Sequence, residues 1–241
     1  MRIDVYLFEA GLAASRTEAK GLIASGAVTV DGKKVLKPSF DVDGGEDVTV
    51  DRSGRRYVSR GGIKLEGALS AFGVSAEGRL CLDVGASSGG FTDCLLQSGA
   101  KHVIALDAGS GQMADALRRD GRVTVIEGYN ARYMSPSDFE YSPSLAVMDV
   151  SFISATYIIP TLSRVLSSGA DFICLIKPQF EVGRDAVGKG GIVKDEKARL
   201  YAVERVTACA EEYGLRRDGL IKSPIRGGDG NVEFLAHFVK E

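Results

Sequence analysis

Two lysines and two carboxylates at the ends of apolar runs are the residues of this 241-residue chain best placed for chemistry. Asp149 follows Leu145-Ala146-Val147-Met148, and Lys177 follows Phe172-Ile173-Cys174-Leu175-Ile176. Lys64 opens the apolar-periodic stretch Leu65-Glu66-Gly67-Ala68-Leu69, and Glu233 stands near the start of the last apolar run. Open α/β sheets bind ligands beyond the carboxyl ends of their strands, so the four are expected to converge on one cleft. A hydroxyl is a poor nucleophile at neutral pH and needs a general base, or a field that favours the alkoxide. Two lysines supply positive potential, and two carboxylates hold them and tune which one is neutral.

The cleft needs an occupant, and Leu82-Asp83-Val84-Gly85-Ala86-Ser87-Ser88-Gly89-Gly90-Phe91 suggests one. An apolar run leads to an acid, then a loop of small residues, then a helix-like segment: a Rossmann-type nucleotide site. The spacing Asp-x-Gly-x-x-x-Gly-Gly is not the dinucleotide pattern. A carboxylate at Asp83 suits a cofactor that carries an ammonium group, as S-adenosylmethionine does. Gly85, Ser87, Gly89, Gly90 and Phe91 would line its approach. The bland alternative is a glycine-rich turn with no ligand. Asp107, ending His102-Val103-Ile104-Ala105-Leu106, is placed to take the ribose hydroxyls, although alone it could be a strand-end cap. Asn130 would border the adenine.

These residues need elements to carry them. From residue 65 onward strand-like and helix-like segments alternate, which predicts a largely parallel, doubly wound sheet. A helix is expected from Gln112 to Arg119, another from Tyr157 to Leu166 kinked at Pro160, and a long one from Glu196 to Tyr213. The last two strands should form a terminal antiparallel pair, and glycine-rich 182–193 a mobile loop beside the site.

The first 51 residues read differently. Ile3, Val5, Leu7, Phe8 and Leu12 suggest a short helix, and Ser15-Arg16-Thr17-Glu18 forms a capping-box pattern opening a second. Val28-Thr29-Val30-Asp31-Gly32-Lys33-Lys34-Val35 reads as a hairpin, and Asp47-Val48-Thr49-Val50 as a third strand. Between the halves, Arg52 to Lys64 carries five basic residues and no acid, which marks a basic tether at 52–64.

Composition narrows the classes. The chain is 44% hydrophobic and 26% charged with net charge −2, so any nucleic-acid surface must be local. Cys81, Cys94, Cys174 and Cys209 lie scattered with no C-x-x-C pair, which argues for reduced thiols and no metal. The start has no long apolar core and no run suits a membrane span, so a cytoplasmic protein is expected.

Ser-Arg-x-x-Ala-x-x-Leu-Ile-x-x-Gly-x-Val-x-Val-Asp-Gly resembles the S4-type RNA-binding domain. The resemblance implies that Arg16, Lys20, Lys33 and Lys34 meet phosphates of structured RNA, each alone being an ordinary surface residue. Arg55, Arg56 and Arg60 would extend that surface. Acids outnumber bases in residues 1–51, so modest affinity is expected.

Lys64, Asp149, Lys177 and Glu233 resemble the tetrad of FtsJ-like ribose 2′-O-methyltransferases. Five motifs in order resemble the TlyA family, which joins an S4-type domain to such an enzyme and is often labelled haemolysin. They are Ser59 to Leu65, Leu82 to Thr92, Met148 to Ser154, Ile176 to Glu181 and Gly230 to Phe234. The resemblance implies a Rossmann-like class I methyltransferase with a seven-stranded sheet over 65–241, following an α+β RNA-binding domain over 1–51. It implies S-adenosylmethionine-dependent 2′-O-methylation of cytidine in ribosomal RNA, 23S foremost with 16S a further candidate, naked or in ribosomal subunits. Lys177 would accept or displace the hydroxyl proton, with Asp149 and Lys64 orienting it and Glu233 supporting the lysines. The cofactor would contact Asp83, Gly89, Phe91, Asp107, Asn130 and Asp149. Phe91 stands where tryptophan is common, and Asn130 where aspartate often meets the adenine. A non-catalytic ribosome-assembly factor is the competing class. Membrane lysis finds no support in the residues.

Overall fold

The computed structural model describes residues 1–13, 15–24, 26–51 and 56–241, which fall into two compact units, Met1–Arg55 and Arg56–Glu241. Arg55 and the 52–54 part of the tether lie outside the described residues.

In the first unit, α1 (Ile3–Glu9) and α2 (Arg16–Ala24) cover a small sheet of β1 (Val28–Val30), β2 (Lys33–Lys34) and β3 (Val48–Val50). The central strand β1 pairs antiparallel with both neighbours. Ser15 Oγ accepts the Glu18 N–H at 3.1 Å, satisfying a donor that the first turn of α2 would otherwise leave free. Ile3, Leu7, Ala19, Leu22 and Ile23 are wholly buried against Val28 and Val30. Full burial contributes about 1.5–3 kcal/mol for each large aliphatic side chain. Phe8, one of the apolar positions that suggest this helix, is exposed. Asp31 at φ 49° and Gly32 at φ 72° make the hairpin turn left-handed at both positions, which suits the strand twist.

The second unit is built on a seven-stranded sheet. Its elements are α3 (Gly61–Phe72), β4 (Leu80–Val84), α4 (Gly90–Gln97), β5 (His102–Leu106), α5 (Asp115–Arg118), β6 (Val123–Ile126), β7 (Leu145–Met148), α6 (Ile159–Val165), β8 (Asp171–Ile176), α7 (Pro178–Glu181), α8 (Glu196–Glu212), β9 (Leu215–Lys222) and β10 (Phe234–Lys240). The strand order is β6-β5-β4-β7-β8-β10-β9. The pairs from β6 through β8 are parallel, while β10 runs antiparallel to both β8 and β9. The two last strands do pair antiparallel, but β10 inserts between β8 and β9, which brings Glu233 to the end of β8.

Both faces of the central strands β4, β5, β7 and β8 are covered, so these read as nearly continuous apolar runs. Leu82, Val84, Phe172, Cys174 and Ile176 pack with α6 and α8 residues such as Ile159 and Val206. Cys81, Ile173 and Leu175 join the other face with Leu65, Phe91 and Leu95.

Three expectations are revised. Residues 61–64, read as tether, form the first turn of α3. Helix α5 is shorter than 112–119, because Gln112 is drawn out to hydrogen-bond with Ser87 Oγ at 3.0 Å. Pro160 does not kink a helix. It lies in the first turn of α6, where its missing N–H is not needed, after a separate 3-10 turn at Ala155–Tyr157. The glycine-rich 182–193 segment is anchored at its downstream end, where Asn231 accepts the Val193 N–H at 3.0 Å and donates to the Gly191 carbonyl at 2.8 Å.

Candidate active site

Strand β4 ends at the switch point between β5 and β7, where doubly wound sheets open a crevice. Gly85 follows at φ 84°, and a Cβ there would collide with the Asp149 carbonyl oxygen. Only glycine lets the β4 loop lie this close to the end of β7, and the Asp149 N–H donates to the Val84 carbonyl at 3.0 Å across the same gap. Beside this close approach lies a cleft of about 490 Å³, large enough for a nucleoside-sized ligand.

Of the cofactor candidates, Gly85, Ser87, Asp107, Asn130 and Asp149 line this cleft. Asp107 is oriented by backbone donors, its Oδ2 accepting from Ser87 N at 2.8 Å and its Oδ1 from Gly109 N at 2.6 Å. Asn130 accepts the Arg132 N–H at 3.1 Å. Apolar walls come from Leu106, Ala131, Val150 and Ile153. A carboxylate at one end of an apolar slot fits an adenosine, whose ribose offers two hydroxyl donors and whose base offers flat apolar faces.

The other cofactor candidates are not among the residues that line this cleft. Asp83 is completely buried; Thr92 Oγ1 donates to its Oδ2 at 2.7 Å, and Oδ1 has no hydrogen-bond partner among the described residues. Burial pushes its carboxyl up to about 7, and the charges of Asp149 and Asp107 act in the same direction. Gly89 begins α4 at φ 92° and is packed over by Met113 and Leu117, Gly90 is covered by Ser59, and Phe91 is a buried core residue.

The four charged residues form two ion pairs. Lys177 Nζ lies 2.5 Å from Asp149 Oδ1 and donates to Ser151 Oγ at 2.7 Å. Lys64 Nζ lies 2.6 Å from Glu233 Oε2, with both side chains buried. Lys64 reaches inward from the buried stripe of α3, where Gly62 leaves room for the Tyr57 ring and lets the helix sit close. The register pairs Phe234 with Ile176, so Glu233 and Lys177 continue two hydrogen-bonded neighbouring strands. Asp149 ends β7, the strand on the other side of β8.

A second concavity of about 620 Å³ adjoins the first and is lined by Arg132, Phe152, Tyr157, Phe180, Arg184 and Arg205. Phe152 is 93% exposed at φ 64°, with its ring 5.4 Å from that of Phe180. Such a backbone costs about 1–3 kcal/mol in a residue other than glycine, so the surrounding structure must hold it. Phe152, Ser151 and these arginines are not among the residues singled out by sequence. An apolar side chain in a Ser-Phe-Ile-Ser stretch carries no sign that it will face solvent.

The remaining basic candidates among the described residues are exposed. Lys33 and Lys34 lie on β2, and Lys20 on α2. Arg16 donates to buried Asp4 at 3.0 Å, as Arg2 does at 2.9 Å. Arg56 pairs with Glu66, and Arg60 donates to the Arg226 carbonyl at 2.8 Å. No group of side chains among the described residues could hold a metal ion, and none of their helices is long and apolar enough to cross a membrane.

Fold and site together define a class I methyltransferase. The FtsJ-like methyltransferase family matches residues 57–240, and the S4 domain matches residues 1–48. The chain belongs to the FtsJ-like methyltransferase family, with an S4 domain ahead of the enzyme domain. It is 46% identical to the 16S/23S rRNA (cytidine-2′-O)-methyltransferase TlyA of Mycobacterium tuberculosis, over 97% of this chain and 88% of that one. It is 42% identical to Hemolysin A of Brachyspira hyodysenteriae, over 99% of this chain and 100% of that one. A Streptococcus thermophilus structure solved under a provisional hemolysin label superposes with TM-score 0.81 at 46% identity, covering 100% of this chain and 88% of that one. The methyltransferase NodS of Bradyrhizobium japonicum, solved with S-adenosyl-L-homocysteine, shares the fold at TM-score 0.51 and 15% identity, over 75% of this chain and 85% of that one.

Proposed function

We propose that the chain methylates the ribose 2′-oxygen of cytidine in ribosomal RNA, with S-adenosylmethionine as methyl donor. The observation that carries this reading is the pairing of Lys177 with Asp149, a residue that lines the nucleoside-sized cleft. Asp107 would take the cofactor's ribose hydroxyls, and Asn130 with the apolar walls would hold its base. The cofactor, when bound, supplies an electrophilic methyl group.

The protein's part is to prepare the oxygen. In its neutral form Lys177 Nζ takes the 2′-hydroxyl proton, and the ammonium so formed, held by Asp149, lowers the cost of the alkoxide. Asp149 and Ser151 fix the position of that nitrogen. The Lys64–Glu233 pair adds a second, desolvated ammonium whose interactions are stronger for being out of water.

RNA as the substrate is supported by the neighbouring surface. Three arginines suit phosphates, and the exposed Phe152 ring suits a base unstacked from its neighbours. The S4 domain suits structured RNA, and the relative from M. tuberculosis carries rRNA cytidine methylation in its name.

The test is to map 2′-O-methylation on 23S and 16S rRNA from cells with and without this protein. One or more cytidines should lose the methyl group in its absence. An unchanged map, with no methyl transfer to subunits or naked rRNA in vitro, would favour a non-catalytic assembly factor.

A further inference from the structure

We propose that Glu181 is a positioning residue of the catalytic centre: its buried carboxylate ties the loop after β7 to the loop after β8 and so fixes Asp149, Ser151 and Phe152 relative to Lys177. This rests on the role given to Lys177 above.

Glu181 ends α7, the single turn that begins directly after Lys177. It is buried, yet it makes no ion pair among the described residues; both its oxygens serve one short stretch of the neighbouring loop. Ser154 Oγ donates to Oε2 at 2.5 Å and the Ala155 N–H to Oε1 at 2.8 Å. Burial pushes its carboxyl up, against the pull of these two donors. From α8, Arg205 donates to the Glu181 carbonyl at 2.5 Å and pins the turn from behind.

The loop after β7 thus has two rungs to the loop after β8. The first is Lys177 with Asp149 and Ser151, where the proton is handled. The second is Glu181 with Ser154 and Ala155. Phe152 lies between the rungs in its left-handed conformation with an exposed ring. A residue without glycine's freedom keeps such a backbone only where its flanks are held, and the second rung holds the downstream flank. A buried carboxylate is costly unless both oxygens are satisfied, and here they are satisfied by a loop that carries catalytic groups. The sequence pattern Lys-Pro-Gln-Phe-Glu places Glu181 four residues after Lys177, about one helical turn away.

The experiment compares methyl transfer, cofactor binding by calorimetry and thermal melting in the full chain. Wild type and Lys177→Ala serve as controls. Glu181→Ala should lower kcat about 10- to 100-fold, since small misplacements of catalytic groups cost rates of this size. Its cofactor dissociation constant should rise by a smaller factor than kcat falls, because Asp107 and Asn130 follow other strands although Val150 and Ile153 of the held loop also wall the cleft. Glu181→Gln keeps an acceptor for Ala155 N and can donate to Ser154 Oγ, so it should recover at least about half the wild-type rate. Ser154→Ala removes one link and should fall between; if Glu181→Ala does not fold, this variant and Glu181→Gln carry the test. Near-wild-type turnover of Glu181→Ala or Ser154→Ala overturns the proposal. So does a parallel loss of rate, cofactor affinity and melting temperature with no rescue by glutamine. Activity in wild type that survives Lys177→Ala would instead overturn the reading of the lysine.

Discussion

Lys64 Nζ stands 2.6 Å from Glu233 Oε2 although 169 residues separate them in the chain, and both side chains are buried. The first reaches the site from a helix that precedes the sheet, the second from the strand inserted beside β8. A buried ion pair is weak evidence of net stabilisation, because desolvation offsets the attraction, but breaking one leaves a charge uncompensated. Lys64→Met should therefore lower stability by about 3–5 kcal/mol. The double variant Lys64→Met/Glu233→Leu should regain most of that, while methyl transfer stays lost in both. Urea unfolding midpoints with an activity assay check this; a stable, active Lys64→Met would refute the pair's role.

Lys177 is paired with Asp149, which lines the cleft. Lys177→Ala should reduce methyl transfer by about 10²–10⁴-fold, the usual worth of a positioned proton-transfer group. Circular dichroism and cofactor titration should match wild type. Near-normal turnover would remove the lysine from its role.

Asp107 faces the cleft, with its two oxygens oriented by Ser87 and Gly109. Asp107→Ala should weaken cofactor binding at least about tenfold, the scale of losing a charge-assisted hydrogen bond to a hydroxyl. Binding of RNA to the same variant should be unaffected. Calorimetry with S-adenosyl-L-homocysteine and a filter-binding assay separate the two.

Asp83 links pH to stability. Its folded carboxyl is raised to about 7 from an ordinary value of 3.8, so the folded protein binds more protons than the unfolded chain between these values. The favourable protonated state is fully present at low pH and is lost as pH rises through about 7. Asp83→Asn removes this dependence, so its stability relative to wild type should climb across that window. The total is on the order of 4 kcal/mol, three pKa units at about 1.4 kcal/mol each. Denaturation at pH 4, 5.5, 7 and 8 reads it; a constant difference would show that Asp83 stays ionised.

On the S4 domain, Lys33 and Lys34 are exposed on β2, whereas Arg16 is partly neutralised by Asp4. Lys33→Ala/Lys34→Ala should weaken binding to rRNA fragments and reduce the magnitude of the salt-dependence slope by up to about 2, near one for each phosphate no longer neutralised. Arg16→Ala should change the slope less. Identical slopes in all three proteins would exclude these residues from the RNA surface.

The periodicities were readable along the chain because each is a local consequence of burial. Strands covered on both faces must be continuously apolar, the Asp-Gly hairpin turn needs positive φ, and a charge directly after an apolar strand lands at the carboxyl edge of the sheet. Thus Asp149, Lys177 and the loop after Asp83 could be placed from residue order alone. The tertiary structure decided the rest. It determined that β10 enters between β8 and β9, that Lys64 pairs with Glu233 and Lys177 with Asp149, and that Asp83 and Phe91 are buried. It also turned Phe152 out to solvent and gave Glu181 its two partners. These depend on which distant segments share a volume, and long-range packing and desolvation determine that, whereas the hydrophobic period along a strand or helix records only which face is covered.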